Sequence, residues 1–183
     1  LVLVITLSDY LHYQDDLKIN HAGGVINSVY NSLLGTLVNF PVQNNLDERF
    51  YIPGLIQAES YTSQSGLATE NTSDSGGGLN IGYTDVNDYA EYPVFISQSG
   101  IYDLNFRIAA QNQTGRIELS LIENETSEVV GSFNLPTTGG WQSWATNTHE
   151  INLEAGVYTL KLRVALAGFN LNWMEFLYSD NNL

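Results

Sequence analysis

Two aromatic residues sit in surroundings that do not suit a protein core. Tyr83 ends the run Asp74-Ser75-Gly76-Gly77-Gly78-Leu79-Asn80-Ile81-Gly82, and Trp141 follows Thr137-Thr138-Gly139-Gly140. Both runs are rich in turn-forming residues. Aromatics carried on such loops are more often binding residues than packing residues. Trp144 and Trp173 lack that setting and are expected in or against the core. A second pattern is Gln57 and Glu59, two positions apart, whose side chains would share one face of a strand. Catalysis finds less support. A glycosidase needs paired carboxylates about 5 Å apart, or about 6.5–9.5 Å apart for inversion. Acids are plentiful, but nothing sets a general acid in a buried cleft beside a second carboxylate. His12, His21 and His149 are scattered, with no metal-ligand spacing and no nucleophile elbow. The chain therefore reads as a binding protein and not as an enzyme.

Charge narrows what could be bound. Six Lys and Arg stand against 20 Asp and Glu, a formal net charge of -14. Nucleic acid and anionic lipid both need a basic footprint, so neither nucleic acid nor a membrane surface is an expected partner. Strongly anionic polysaccharides are disfavoured for the same reason, whereas neutral glycans and divalent cations remain compatible. With no cysteine, no disulfide can staple the fold, and an extracellular protein without disulfides often uses Ca2+ instead. The opening Leu1-Val2-Leu3-Val4-Ile5-Thr6-Leu7 lacks a basic flank and a cleavage site, so it reads as a strand and not as a signal peptide. The abrupt start suggests a piece of a longer, secreted bacterial protein.

The elements that must position these residues are strands. Hydrophobic residues make up 43% of the 183, enough for a real core. Tyr102-Asp103-Leu104-Asn105-Phe106-Arg107-Ile108 alternates apolar and polar residues, as do Ile117–Leu121 and Tyr158–Val164. Period-two alternation broken by frequent turns predicts an all-β antiparallel sandwich. The polar positions Asp103, Asn105, Arg107, Glu118, Ser120, Lys161 and Arg163 are expected to share one face. That face is either a solvated sheet surface or a second, concave-sheet cleft with Tyr89 as its platform, joined by Glu91 and Ser120.

Seven motifs appear in order across the second part of the chain. They are Ile56-Gln57-Ala58-Glu59-Ser60-Tyr61; Glu70 with Asp74–Tyr83; Asp88-Tyr89-Ala90-Glu91-Tyr92; Gly100-Ile101-Tyr102 leading to Arg107-Ile108-Ala109; Pro136–Trp144; Leu153-Glu154-Ala155-Gly156; and Asn170-Leu171-Asn172-Trp173. Together they resemble family 6 carbohydrate-binding modules. The resemblance implies a jelly-roll β-sandwich that holds a sugar among the loops at one end. Two aromatic rings would bury the C–H face of a pyranose while amides and carboxylates bond its hydroxyl rim. Carried over position by position, the aromatics are Tyr83 and Trp141, the amide is Asn170 and the acid is Glu70. Phe169 stands where the family often has Trp and would add a third wall. The family also implies a structural Ca2+, held by Gln57 and Glu59 of the first strand with Asn172 of the last. Sending Asn170 to sugar and Asn172 to metal requires an irregular start to that strand. The ligand expected is the end of a neutral β-linked polysaccharide, β-glucan or xylan, with agarose as an alternative. The expected role is to target a covalently attached glycoside hydrolase catalytic domain to its substrate. A cell-surface lectin or adhesin would use the same cleft.

Residues 1–45 form a separate block. Leu7-Ser8, Asp16-Leu17-Lys18-Ile19, Ala22-Gly23-Gly24, Leu33-Leu34 and Phe40-Pro41-Val42-Gln43-Asn44 resemble the last strands of immunoglobulin-like modules that follow catalytic domains. Such a sandwich needs about 100 residues, so the block is partial; the alternative is an arm packed on the module. Residues 46–54 read as a linker ending in Pro53-Gly54, and 55–179 as the carbohydrate-binding sandwich.

Overall fold

The computed structural model describes residues 18–21, 37–41 and 49–179. The chain divides into two compact units, 1–48 and 49–183. In the first, β1 (Lys18–His21) pairs antiparallel with β2 (Leu37–Pro41). The expected strand at Leu1–Leu7 and most of the immunoglobulin-like block lie outside the described residues.

The second unit is a sandwich of two six-stranded sheets. Its strands are β3 (Phe50–Ile52), β4 (Gly54–Gln57), β5 (Ser63–Ser65), β6 (Ala68–Asn71), β7 (Leu79–Gly82), β8 (Tyr89–Ile96), β9 (Gly100–Ala109), β10 (Gly115–Glu123), β11 (Thr126–Leu135), β12 (Ala145–Leu153), β13 (Gly156–Leu166) and β14 (Asn170–Tyr178). One sheet runs β11-β10-β13-β8-β3 with β5 also on β8. The other runs β12-β9-β14-β7-β6 with β4 also on β14. Every pairing is antiparallel except β3 with β8.

The alternation in sequence explains the layers. Tyr102, Leu104, Phe106 and Ile108 of β9 are fully buried, and so are Ile117 and Leu119 of β10 and Leu160, Leu162 and Val164 of β13. Each such side chain contributes about 1.5–3 kcal/mol on leaving water. The buried hydroxyl of Tyr92 donates to the Ala58 carbonyl at 2.7 Å, tying β8 to the turn after β4 in the other sheet.

Two expectations need correction. The alternating strands do not share one polar face, because β9 lies in one sheet while β10 and β13 lie in the other. Asn105 and Arg107 face outward beside Thr148, Glu175 and Thr146. Arg163 and Lys161 pair with Glu118 and Glu91 on the opposite outer face. Periodicity reports that one side of a strand is wet, not which sheet it joins. The linker 46–54 is also partly wrong. Phe50–Ile52 is an edge strand, Ile52 is fully buried, and Pro53-Gly54 is where the chain steps from one sheet to the other. Residues 46–48 lie outside the described part.

The module therefore starts at Arg49 and not at Leu55. A fragment of residues 49–183 should keep its stability, while one starting at Leu55 should lose about 2 kcal/mol or more, the cost of emptying the Ile52 site. Urea unfolding of the two fragments checks this, and equal midpoints would put β3 outside the module.

Candidate functional site

At one end of the sandwich, four connections converge. They join β7 to β8, β9 to β10, β11 to β12 and β13 to β14, and with Glu70 of β6 they enclose a cleft of about 490 Å³. Tyr83, Trp141, Glu70, Asn170 and Phe169 all line it, together with Thr84, Asp85, Gln113, Ala167 and Gly168. The five residues assigned to sugar from the family resemblance are thus brought together.

Tyr83 is 71% exposed and Trp141 44% exposed, so both rings are available to a ligand. A ring offered to water that way costs apolar hydration, which a sugar's C–H face would relieve. Tyr83 also sits in the left-handed region at φ 54°, a conformation that bulky residues rarely adopt. Its neighbour Gly82 leaves room for what lies beneath: a Cβ there would come within 2.8 Å of Asn170 Oδ1 and 3.6 Å of Glu70 Oε1. Phe169 corrects its assignment. It borders the cleft but is fully buried in the core, with its ring packed where a Cβ on Gly115 would collide with it. It forms floor and offers no open stacking face.

The polar rim is a network. Asn170 Nδ2 donates to Glu70 Oε1 at 2.7 Å and to the Trp141 carbonyl at 2.8 Å. Gln142 Nε2 donates to the same Glu70 oxygen at 3.1 Å and to Asn80 Oδ1 at 3.3 Å. Thr84 Oγ1 bridges two cleft loops by donating to the Phe169 carbonyl and accepting from the Gly168 N–H. Sequence reading missed the parts played by Gln142, Asn80 and Thr84. Gln142 directly follows Trp141, and that adjacency was the available signal.

The metal assignment fares unevenly. Strand β4 ends at Gln57, so Glu59 lies in the following turn and the shared-face argument fails. Gln57 is exposed. Glu59 and Asn172 are another matter. Glu59 Oε2 and Asn172 Oδ1 are buried side-chain oxygens with no hydrogen-bond partner among the described residues. Burial raises the Glu59 pKa above the usual carboxylate value, opposed by backbone N–H bonds from Glu59 itself and Leu79. The two residues adjoin through Ala58, whose N–H donates to the Asn172 carbonyl at 2.9 Å. The expected irregularity is present: the β14–β9 register shifts between Leu171 and Trp173, and both Asn170 and Asn172 are buried. Asn172 Nδ2 donates to Asp74 at 2.9 Å. Arg107 grips that carboxylate from the other side, Nε to Oδ2 at 2.8 Å and Nη2 to Oδ1 at 2.7 Å. Arg107 holds the Asp74 pKa down to about 2.

On the outer face of the other sheet, Tyr89 and Glu91 of β8 lie beside Arg163 and Lys161 of β13. Lys161 Nζ sits 3.7 Å above the Tyr89 ring centre and 2.9 Å from Glu91 Oε1. Ser120, opposite Lys161 in register, is buried. The platform proposed for a second cleft is thus covered by an ammonium group whose attraction to the ring is itself favourable.

The left-handed Tyr83 yields a testable separation of stability from binding. Tyr83→Asn should leave the melting temperature unchanged or raised, by up to roughly 1 kcal/mol of relieved backbone strain, while removing one ligand-facing ring. Thermal melts beside oligosaccharide titrations measure both, and a fall of several degrees would mean that the ring supports the fold.

Comparison with known proteins agrees with the fold. The carbohydrate binding module (family 6) pattern matches residues 57–177. A family 6 module of lichenase 5A from Cellvibrio mixtus, solved with cellotriose, is 40% identical with a TM-score of 0.63, covering 69% of this chain and 98% of that one. A β-1,3-glucan-binding family 6 module from Bacillus halodurans is 33% identical with a TM-score of 0.65, covering 70% and 98%. The clotting factor G alpha subunit of Tachypleus tridentatus is 38% identical over 122 residues, 66% of this chain, and the match spans 18% of that relative's length. With the family pattern matched over most of the chain and the two-sheet sandwich shared with these solved modules, the chain belongs to the family 6 carbohydrate-binding modules.

Proposed function

We propose that the module binds the ends of a neutral β-linked glucan in the cleft of Tyr83 and Trp141, and that it targets an attached glycoside hydrolase, secreted by a bacterium, to that polysaccharide. The observation that carries this reading is the pair of exposed aromatic rings lining one cleft whose rim is an amide and a carboxylate. Flat rings suit the C–H face of a glucosyl unit, and Glu70 and Asn170 suit its hydroxyls. Among the described residues that line the cleft, Glu70 and Asp85 are the charged ones and none is Lys or Arg, which suits a neutral sugar over a uronic or sulfated one. The relatives solved with cellotriose and described as β-1,3-glucan-binding support a glucan ligand, and a module solved with xylose keeps xylan as the alternative. The relative drawn from a lichenase supports attachment to an enzyme.

With one or two sugar units held, affinity should be weak. A dissociation constant of ~0.1 mM corresponds to roughly -5.5 kcal/mol, and one ring of the pair should account for most of it. Trp141→Ala should therefore abolish detectable binding of cello- and laminari-oligosaccharides in calorimetric titrations, with the fold intact. Unchanged binding would move the site away from this cleft.

The same reading includes a structural Ca2+ at Glu59 and Asn172. Among the described residues no three His, Cys, Asp or Glu side chains gather as a metal cluster. The ion would therefore rest on one carboxylate with amide and backbone carbonyl oxygens, a donor set that Ca2+ accepts. The two unpartnered buried oxygens fit that role. When bound, the ion supplies the charge that those oxygens face. An ion that binds only the folded state stabilises by mass action, ~2.7 kcal/mol at a hundredfold excess over its dissociation constant. Chelation by EDTA should lower the melting temperature and leave sugar affinity at moderate temperature nearly unchanged. An identical melting curve, with no metal found by elemental analysis, would refute the assignment.

A further inference from the structure

Gln142 makes directed contacts at both ends of its side-chain amide. Its side-chain oxygen accepts from the Ser73 backbone N–H at 2.7 Å and from Trp144 Nε1 at 3.1 Å. Both partners can only donate, so the oxygen's end of the amide is fixed by chemistry. The NH2 end must then face Glu70 Oε1 at 3.1 Å and Asn80 Oδ1 at 3.3 Å. The backbone carbonyl of Gln142 also accepts from Ser73 Oγ at 3.3 Å. One side chain thereby joins the Trp141 loop, the glycine-rich loop and the carboxylate of the cleft.

Glu70 Oε1 is shared among three amide donors: Asn170 at 2.7 Å, Gln142 at 3.1 Å and Asn80 at 3.4 Å. Three N–H groups on one oxygen fix the plane of the carboxylate. They leave Oε2, which has no protein donor among the described residues, to accept from a ligand hydroxyl. Asn170 is itself a ligand-facing residue and Asn80 is fully buried. Gln142 is the one of the three that is covalently next to Trp141.

We infer that Gln142 is a positioning residue for sugar recognition: its amide orients the Glu70 carboxylate toward the ligand and locks that orientation to the Trp141 loop. This rests on the sugar reading of the cleft. The charged groups around the amide are few. Glu70 faces it from β6. Asp74 adjoins Ser73 and is paired with Arg107 of β9. Asp85 lines the cleft, while β7 and β14 present neutral Asn80 and Asn170.

Gln142→Glu separates positioning from loop anchoring. The substituted side chain keeps an oxygen for Ser73 and Trp144 but turns a second oxygen toward Glu70. Two carboxylates at that distance repel unless they share a proton, and one of them then titrates well above its usual range. Relative to wild type at each pH, the variant should bind cello- or laminari-oligosaccharide roughly tenfold weaker or more at pH 8. It should recover as the pH falls toward 5, where a protonated carboxyl again donates. In a Glu70→Gln background the same substitution should produce no pH-dependent ratio, because the facing carboxylate is gone. A ratio that stays at one across the range would overturn the inference. So would a loss that is equal at every pH in a folded variant, since that marks anchoring alone. If Gln142→Glu does not fold at pH 8, adding Glu70→Gln should restore folding, as an amide again faces a carboxylate; failure to restore it also overturns the inference. Wild type that binds neither sugar would sink the cleft reading itself, and this inference with it.

Discussion

The carboxylate of Asp74 is the point on which the loop end of the sandwich depends. It sits in a loop whose Gly76, Gly77 and Gly78 all have positive φ, so the backbone there has little stiffness of its own. Arg107 of β9 grips it with two short bonds, and Asn172 of β14 adds a third. The side chain is only 6% exposed, which makes the pair more than a surface ornament: removing one partner would strand a buried charge. Through Ser73, the preceding residue, the same anchor reaches Gln142, and through Gln142 it reaches Glu70 and the Trp141 loop. The unpartnered oxygen of Asn172 lies on the other side of that anchor. The cleft rim and the candidate cation site are thus two ends of one hydrogen-bonded chain.

Legibility in the sequence followed the range of the interactions. The alternation in β9, β10 and β13 is local, and it named the buried residues correctly: Tyr102, Leu104, Phe106 and Ile108 point inward as their spacing requires. Tyr83 and Trp141 were legible because glycine-rich runs precede them, which is also a local signal. The partition of strands between sheets was not, because long-range pairing decides it, and so the polar residues of β9 and β13 were placed on one face when they occupy two. Strand β3 was hidden by its brevity and by the Pro-Gly that follows it. Its membership comes from Ile52 and a parallel ladder with β8, about 40 residues away. Phe169 was misjudged because its type fits either a wall or a core. The side it takes depends on Gly115, whose missing Cβ makes the space.

The cleft also places two opposed demands on the chain. Tyr83 carries a left-handed backbone and an exposed ring, neither of which helps the fold. Asn80 and Asn170, by contrast, are buried polar groups, and they contribute rigidity through the bonds they share with Glu70 and Gln142. The site combines a ring kept at a cost with a rim kept by shared hydrogen bonds.

The four connections that shape the cleft each join strands whose register is fixed elsewhere. Three of them bury no large side chain in the core among the described residues, so ligand preference in such a module can drift there while the core stays filled. The fourth, between β13 and β14, differs. There Phe169 fills the core and Asn170, the next residue, meets the ligand cleft. A shift of one residue would exchange their surroundings. That corner is where a lineage of these modules would be expected to stay constant while the other three diverge.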